Sequence, residues 1–398
     1  MRILIVSQYF PPETGAAASR IGDFSKELIQ LGHQVTIITE KPNYPIGKVY
    51  PEYKEKWTTV ETPEENLKIY RTWVWISSRN NFFQRIGFYL SFFFASIIKS
   101  FKISSPDVVI CTSPPLFVGA AGWIISKIHS TPFVLDIRDL WPESAIKLGE
   151  LKNRILIRLS FWLERYLYRK SAFITVAVPG FCEVIHRSEN HPVCIELPNG
   201  VSEEFLSQSC TQQSSGSEHF TVLYSGNMGL AQGLETLIEA ADILQDKKDI
   251  QFRLVGDGVE KAKLMSLASS LNNIDFEASC PRKQLVRRIL AADLCVVPLR
   301  DDPLFMRALP SKMFEYMALG RPMVVTIDGE ARKLIETNDT GVYVPPGDAR
   351  ELANTILQLK NDQVKLQYLG QNGTELVRKQ YMKKDIIKNL DNALRDLL

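Results

Sequence analysis

The sequence contains no Asp-x-Asp pair, no Cys-x-x-Cys, no G-x-G-x-x-G and no Walker-type phosphate loop. The first absence removes a common carboxylate clamp for a divalent ion. The second removes a zinc or dithiol motif, and the last two argue against NAD and ATP as ligands. Net charge is also low: 47 Lys and Arg face 45 Asp and Glu, leaving +2, so nucleic acid is not an expected partner. The N-terminal run Met1-Arg-Ile-Leu-Ile-Val6 enters a strand-like segment directly, without the basic region, apolar stretch and cleavage site of a secretory signal, so a cytoplasmic chain is expected. The six cysteines (Cys111, Cys182, Cys194, Cys210, Cys280 and Cys295) are scattered, and Cys111, Cys194 and Cys295 lie in apolar runs. They read as small buried hydrophobes rather than disulfides or metal ligands.

What is present is a long chain with ordinary hydrophobic content. At 398 residues it exceeds the size at which one core stops growing, so two domains are expected. Short apolar runs alternate with helical patterns at Ile3–Val6, Val35–Thr39, Asp107–Cys111, Phe133–Ile137 and Phe173–Val178. The rhythm restarts at Phe220–Tyr224 and continues through Phe252–Val255, Leu294–Pro298, Met323–Thr326 and Val342–Val344. Such βαβ alternation implies an α/β fold with parallel sheets. The expected division is a first Rossmann-like domain over 1–200, a second over 219–375 and a helical segment over 376–398 that can cross back to the first. The polar stretch Ser207–Ser217 reads as a solvated connection, with the hinge placed between Asn199 and Glu218.

In open parallel sheets, ligands bind where loops leave the carboxyl ends of strands. Five segments fall there. Pro11–Arg20 carries Gly15 ahead of a helix of small residues, which suits either a phosphate approach or a plain strand-to-helix turn. Phe133–Ser144 ends an apolar strand in Asp136, Arg138, Asp139 and Glu143, and such groups are costly to bury unless paired or functional. Arg138 and Asp139 are the candidates here; the alternative is a structural pairing of Arg138 with Asp136 or Glu143. Leu223–Leu237 holds Gly226, Asn227, Gly229 and Gly233 between a strand and a helix, a pattern suited to diphosphate binding by backbone amides. Gly256 and the turn-like Asp257-Gly258, with Arg282 further on, can border a pocket for a base. The most informative segment is Leu309-Pro310-Ser311-Lys312-Met313-Phe314-Glu315, in which Lys312 and Glu315 lie one helical turn apart. A cation for diphosphate beside a carboxylate for ribose hydroxyls is the chemistry a nucleotide-sugar site needs.

Together the stretches DIRDLWPES, YSGNMGLAQGLETLIEAA, LVGDGVEKAKL and LPSKMFEYMALGRPMVV resemble the retaining glycosyltransferases of family four. The resemblance extends to the branch of N-acetylfucosamine and related transferases in O-antigen, capsule and colanic-acid assembly. It implies the GT-B architecture, two facing Rossmann-like domains with an interdomain cleft. It also implies a UDP-sugar co-substrate, no cofactor or metal, and a polyprenyl-diphosphate-linked saccharide as acceptor. Glu315 then takes the ribose, and Lys312, Arg282 and the amides near Gly229 take the diphosphate, with Ser311 beside them. The sequence departs from the family in three places. Arg307 occupies the position of the first glutamate, Asn227 and Gln232 those of two usual cations, and none of the five histidines matches the usual one, leaving Arg138 or Asp139 for that role.

A nucleotide-sugar 2-epimerase of the same architecture and a non-catalytic sugar-binding protein are the competing readings. From Arg79 to Lys170, thirteen Lys and Arg stand against six Asp and Glu. The aromatic Phe82–Lys99 and the basic, apolar Lys152–Lys170 suit helices resting on the inner face of the cytoplasmic membrane without crossing it.

Overall fold

The computed structural model describes residues 1–13, 15–44, 47–54, 57–76, 82–147, 149, 151–188, 193–209 and 219–398. Thr14, Arg79, His191, Cys210 and most of the Ser/Gln connection lie outside them. The chain divides into two compact units, residues 1–199 with 383–398, and residues 200–382.

The first unit contains β1 (Arg2–Val6), β2 (Gln34–Glu40), β3 (Thr59–Glu64), β4 (Leu67–Thr72), β5 (Val108–Ser113), β6 (Phe133–Ile137), β7 (Phe173–Val176) and β8 (Cys194–Glu196). They form one sheet in the order β3-β4-β2-β1-β5-β6-β7-β8, parallel throughout except for the antiparallel pair β3 and β4. Its helices are α1 (Ala16–Gln30), α2 (Phe82–Ser100), α3 (Leu116–His129), α4 (Glu143–Lys147), α5 (Arg154–Lys170) and α6 (Gly180–Ser188). Central strands such as β5 and β6 are buried along their whole length, as a parallel sheet covered on both faces requires. β3 escapes the apolar-run criterion as an edge strand with mostly exposed positions, and β4, though buried, because Lys68 and Arg71 interrupt its run. Buried Arg71 fastens the pair, its Nε donating to Glu61 Oε1 at 2.5 Å and its Nη2 to the Pro11 carbonyl.

The second unit holds β9 (Phe220–Ser225), β10 (Ile250–Val255), β11 (Ile274–Glu277), β12 (Leu294–Pro298), β13 (Met323–Thr326) and β14 (Gly341–Tyr343) in the all-parallel order β11-β10-β9-β12-β13-β14. The C-terminal residues split between the units. Leu376 is buried on the helix Gln363–Gln380 of the second unit. The helix Lys383–Arg395 instead places Ile386, Ile387, Leu390 and Leu394 in the core of the first, beside Ile21 and Leu28 of α1. Its polar anchors are Lys383 with Asp23 and a buried pair between His33 Nε2 and Asp391 Oδ1 at 2.8 Å. Burial lowers the pKa of His33, against the opposing effect of Asp391.

The cysteines require a correction. Cys111 and Cys295 are fully buried, as hydrophobes would be. Cys182 and Cys194 instead form a disulfide joining α6 to β8. Their separation of twelve residues matches no local spacing motif.

Candidate functional site

At the carboxyl edge of the second sheet, β9 and β10 end in register, Ser225 against Val255, and each is followed by a glycine. Gly226 donates its amide to the Val255 carbonyl at 2.9 Å. Both glycines adopt positive φ, 136° and 151°. A Cβ on Gly256 would stand 1.9 Å from the Gly226 carbonyl oxygen, and one on Gly226 would stand 2.8 Å from Lys312 Nζ. Glycine is therefore required twice: by conformation, and because the two loops and the lysine press together.

Lys312 comes from the helix Ser311–Ala318, which starts after Pro310. Proline there pre-sets the chain for the helix, and the first amides of the helix have no intrahelical carbonyl to bond. Met313, Phe314, Tyr316 and Met317 bury one side of the helix, which turns Lys312 and Glu315 outward. Lys312 Nζ lies 4.1 Å from the centroid of the Tyr224 ring. Desolvation pushes its pKa down to about 7, against the raising effect of Glu315. Glu315 faces Arg282 across 3.7 Å, and Arg282 stacks over the Phe205 ring. Glu315 is thus paired with Arg282 beyond its helix, while Lys312 sits over an aromatic face.

The adjoining loops are braced from below. Tyr224 donates its hydroxyl to the Asn227 carbonyl at 2.5 Å, and the Gly229 amide donates to Gln232 Oε1 at 3.0 Å. The Ser225 amide donates to the Tyr316 hydroxyl. Asp257 accepts from the Ser279 amide and pairs with Lys261, which together hold its pKa down to about 2. The structure therefore gathers Gly226, Gly256 and Lys312 around Tyr224, with Asn227 and Gly229 in the same loop, Ser311 next to Lys312, and Glu315 with Arg282. Tyr224 was not distinguishable in the sequence, because an aromatic inside an apolar strand carries the pattern of a core residue.

In the first unit Arg138 and Asp139 follow β6 directly. Asp136 is buried and engaged by Arg20, whose Nη2 and Nε donate at 2.9 and 3.2 Å, and by the Thr175 hydroxyl. Glu143 pairs with Lys147. Asp136 acts on Arg138 through its charge but makes its hydrogen bonds to Arg20 and Thr175. Arg138 Nη2 donates to the Pro114 carbonyl at 2.5 Å, while its buried Nε has no hydrogen-bond partner among the described residues. Burial lowers the Arg138 pKa. Gly15 caps α1 with φ 133°, and a Cβ there would stand 3.5 Å from the Tyr44 ring. The same loop hides Glu13, which accepts the amides of Asn43 and Tyr44 at 2.9 Å; burial raises its pKa against these bonds. Neither Glu13 nor Arg20 has a sequence signature, since each meets its partners only through the fold.

On the outside of this unit, α5 exposes Ile155 at 76%, Leu159 at 55% and Trp162 at 59%, at helical spacings of four and three. Arg154, Arg158 and Arg165 are exposed on the adjoining stripe. α2 and the residue following it expose Phe94, Ile98 and Phe101. Lys99, expected among the surface cations, is instead buried with its ammonium 5.4 Å from the Tyr70 ring centroid, and burial lowers its pKa. Its position on α2 turns it toward the sheet. Among the described residues no helix is long and apolar enough to cross a membrane.

A model of the glycosyl transferase 4-like domain matches residues 15–200, and a model of the glycosyl transferases group 1 matches residues 210–376. The chain is 26% identical over 382 residues to the putative colanic acid biosynthesis glycosyl transferase WcaI of Escherichia coli K12, covering 90% of this chain and 92% of that protein. Sucrose-phosphate synthase from Thermosynechococcus elongatus superposes with a TM-score of 0.76 at 18% identity, over 100% of this chain and 99% of the other. HepE of Anabaena, solved in complex with UDP-glucose, gives 0.72 at 16% identity over 100% of both chains. Two parallel α/β units of this design define the GT-B fold. The chain is a glycosyltransferase whose first unit matches the glycosyl transferase 4-like model and whose second matches the group 1 model.

Proposed function

We propose that this glycosyltransferase takes a sugar from a UDP-sugar held by the second unit and passes it, with retention of configuration, to a lipid-linked saccharide in bacterial surface-polysaccharide assembly. The observation that carries the reading is the clustering of Lys312 with Gly226 and Gly256 at one sheet edge, beside the Glu315 and Arg282 pair. Lys312, Arg282 and the amides of the Gly226–Gly229 loop take the diphosphate, and Glu315 accepts from the ribose hydroxyls. Fixed cations and amides then stabilise the leaving diphosphate without a divalent ion. A diphosphate oxygen removes the acceptor proton as the sugar departs. Arg138 and Asp139 contact the transferred sugar or the acceptor. The likeness to WcaI, named for colanic acid biosynthesis, favours a polysaccharide product, and that to HepE, solved with UDP-glucose, favours a uridine donor. An N-acetylated amino sugar such as N-acetylfucosamine fits the sequence resemblance. The exposed apolar and arginine stripes of α5 favour residence on the inner face of the cytoplasmic membrane.

The test is incubation with a panel of UDP- and GDP-sugars and polyprenyl-diphosphate oligosaccharides, read by mass spectrometry with and without excess EDTA. One added hexose or N-acetylhexosamine on the lipid, in the presence of EDTA, is expected. Strict dependence on added Mg²⁺ or Mn²⁺ overturns the metal-free reading. An epimerised donor with no transfer overturns the whole.

A further inference from the structure

The first unit contains a cavity of ≈150 Å³ whose walls come from α2, α3, α4 and α5. Ile86 and Tyr89 of α2 face Leu156, Leu159 and Leu163 of α5, with Ala145 of α4 between. The pocket is half open to solvent, and a mostly apolar pocket of this size accepts a hydrocarbon segment. Arg85 and Ser160 are also among its wall residues. Its position relates it to the reaction edge of the same sheet. Wall residue Leu116 begins α3 two positions after Pro114, the residue whose carbonyl receives Arg138 Nη2, and wall residue Trp141 lies three positions after Arg138. On the outer side, α5 exposes Arg154 and Arg158 beside Ile155 and Leu159.

An occupant has to match both features: a hydrocarbon segment for the cavity and an anionic group for the arginines. A peptide would bring backbone polar groups that these walls cannot satisfy, and a free nucleotide or sugar has no apolar segment. We propose that the cavity receives the lipid-proximal end of a prenyl chain, with Arg85 and the α5 arginines drawing its phosphate. The inference rests on the lipid-linked acceptor of the proposed function, and adds where the protein grips the lipid itself.

The probe is farnesyl phosphate, with inorganic phosphate and dioleoyl-phosphatidylglycerol vesicles as controls, measured by calorimetry and sedimentation on the full chain. Ala145→Phe fills the cavity from within and Ser160→Phe from the side of α5. Each is expected to weaken farnesyl phosphate binding by about tenfold or more, while vesicle binding and UDP binding by the second unit stay at wild-type levels. Inorganic phosphate is expected to bind at least a hundredfold more weakly. Failure of the wild-type chain to bind farnesyl phosphate overturns the proposal. So does wild-type affinity in either folded variant, or parallel loss of vesicle binding, which would assign the apolar wall to general bilayer contact. If Ala145→Phe does not fold, as judged by its melting temperature, Ser160→Phe decides. Transfer only to water-soluble acceptors, with farnesyl phosphate binding still lost on filling, would overturn the proposed acceptor and leave the cavity assignment standing. Normal lipid-linked transfer with unaffected binding in both variants would overturn the cavity alone.

Discussion

Lys312 occupies surroundings that oppose its own charge, beneath the Gly226 loop and over the Tyr224 ring, with a pKa pushed down to about 7. A diphosphate would supply the missing counter-charge. Lys312→Ala and Glu315→Ala are expected to leave the fold intact and each to cost about 1.5–3 kcal/mol in donor efficiency, or about one to two decades in kcat/KM. Steady-state kinetics at varied donor concentration check this, and unchanged kcat and KM in both variants would refute the assignment. The pH dependence follows in sign. Binding selects the protonated lysine, so donor affinity should be level below about pH 7 and weaken by up to about tenfold per pH unit above it. Lys312→Arg, which stays charged, should flatten that profile. At this scale the sequence was informative where local geometry does the work. The i,i+3 spacing after Pro310 was enough to single out Lys312 and Glu315, and the glycines after β9 and β10 were visible as strand-end punctuation. Glu13, Arg20 and Tyr224 were not, because their partners lie on other elements and nothing in their neighbours in sequence distinguishes them.

Among the elements, α5 buries Leu167 and Tyr168 while it turns Ile155, Leu159 and Trp162 out beside three arginines. A basic residue near an anionic surface contributes about 1 kcal/mol. Charge reversal of Arg154, Arg158 and Arg165 together should therefore lower partitioning onto anionic vesicles by about two decades or more, and added salt should do the same to the parent protein. Sedimentation measures both; indifference to lipid charge, salt and reversal would refute a membrane role for this helix. The link between α6 and β8 yields another expectation. Closing a loop of this length stabilises by about 3 kcal/mol in the chain-entropy model, so Cys182→Ser should lower stability in denaturant titrations under oxidising conditions and have much less effect with reductant present. The sequence revealed ten strands, nine of them largely buried, with apolar runs that follow from coverage on both faces, and the half-buried edge strand β14. β3, β8 and β11 were missed because sheet edges relax that demand, as β11 shows with Asp275 exposed, and β4, which is buried, because Lys68 and Arg71 interrupt its apolar run. The Cys182–Cys194 pairing was missed because a separation of twelve residues matches no disulfide or metal motif.

For the molecule as a whole, the chain passes from the first unit into the second at Asn199–Gly200 and returns at Met382–Lys383. Leu390 on the returning helix is almost completely buried in the first core. Leu390→Ala should therefore destabilise that unit by about 2–5 kcal/mol, seen as an earlier unfolding transition, while UDP binding by the second unit persists at temperatures below it. Equal stability of variant and parent would show that the helix contributes little to the first core. The amphipathic pattern of the last residues and a segment that can cross back to the first unit were legible in the sequence, but the crossing starts at Lys383 and not at 376, because the helix Gln363–Gln380 still belongs to the second unit. This return has a consequence for synthesis. Residues are made in order, and domains usually fold as they emerge. Here the first unit to leave the ribosome is the last that can finish, since Ile386, Ile387, Leu390 and Leu394 follow the whole of the second unit. Until they arrive, Ile21 and Leu28 lack part of their cover, so the first unit keeps apolar core surface exposed until the end of synthesis.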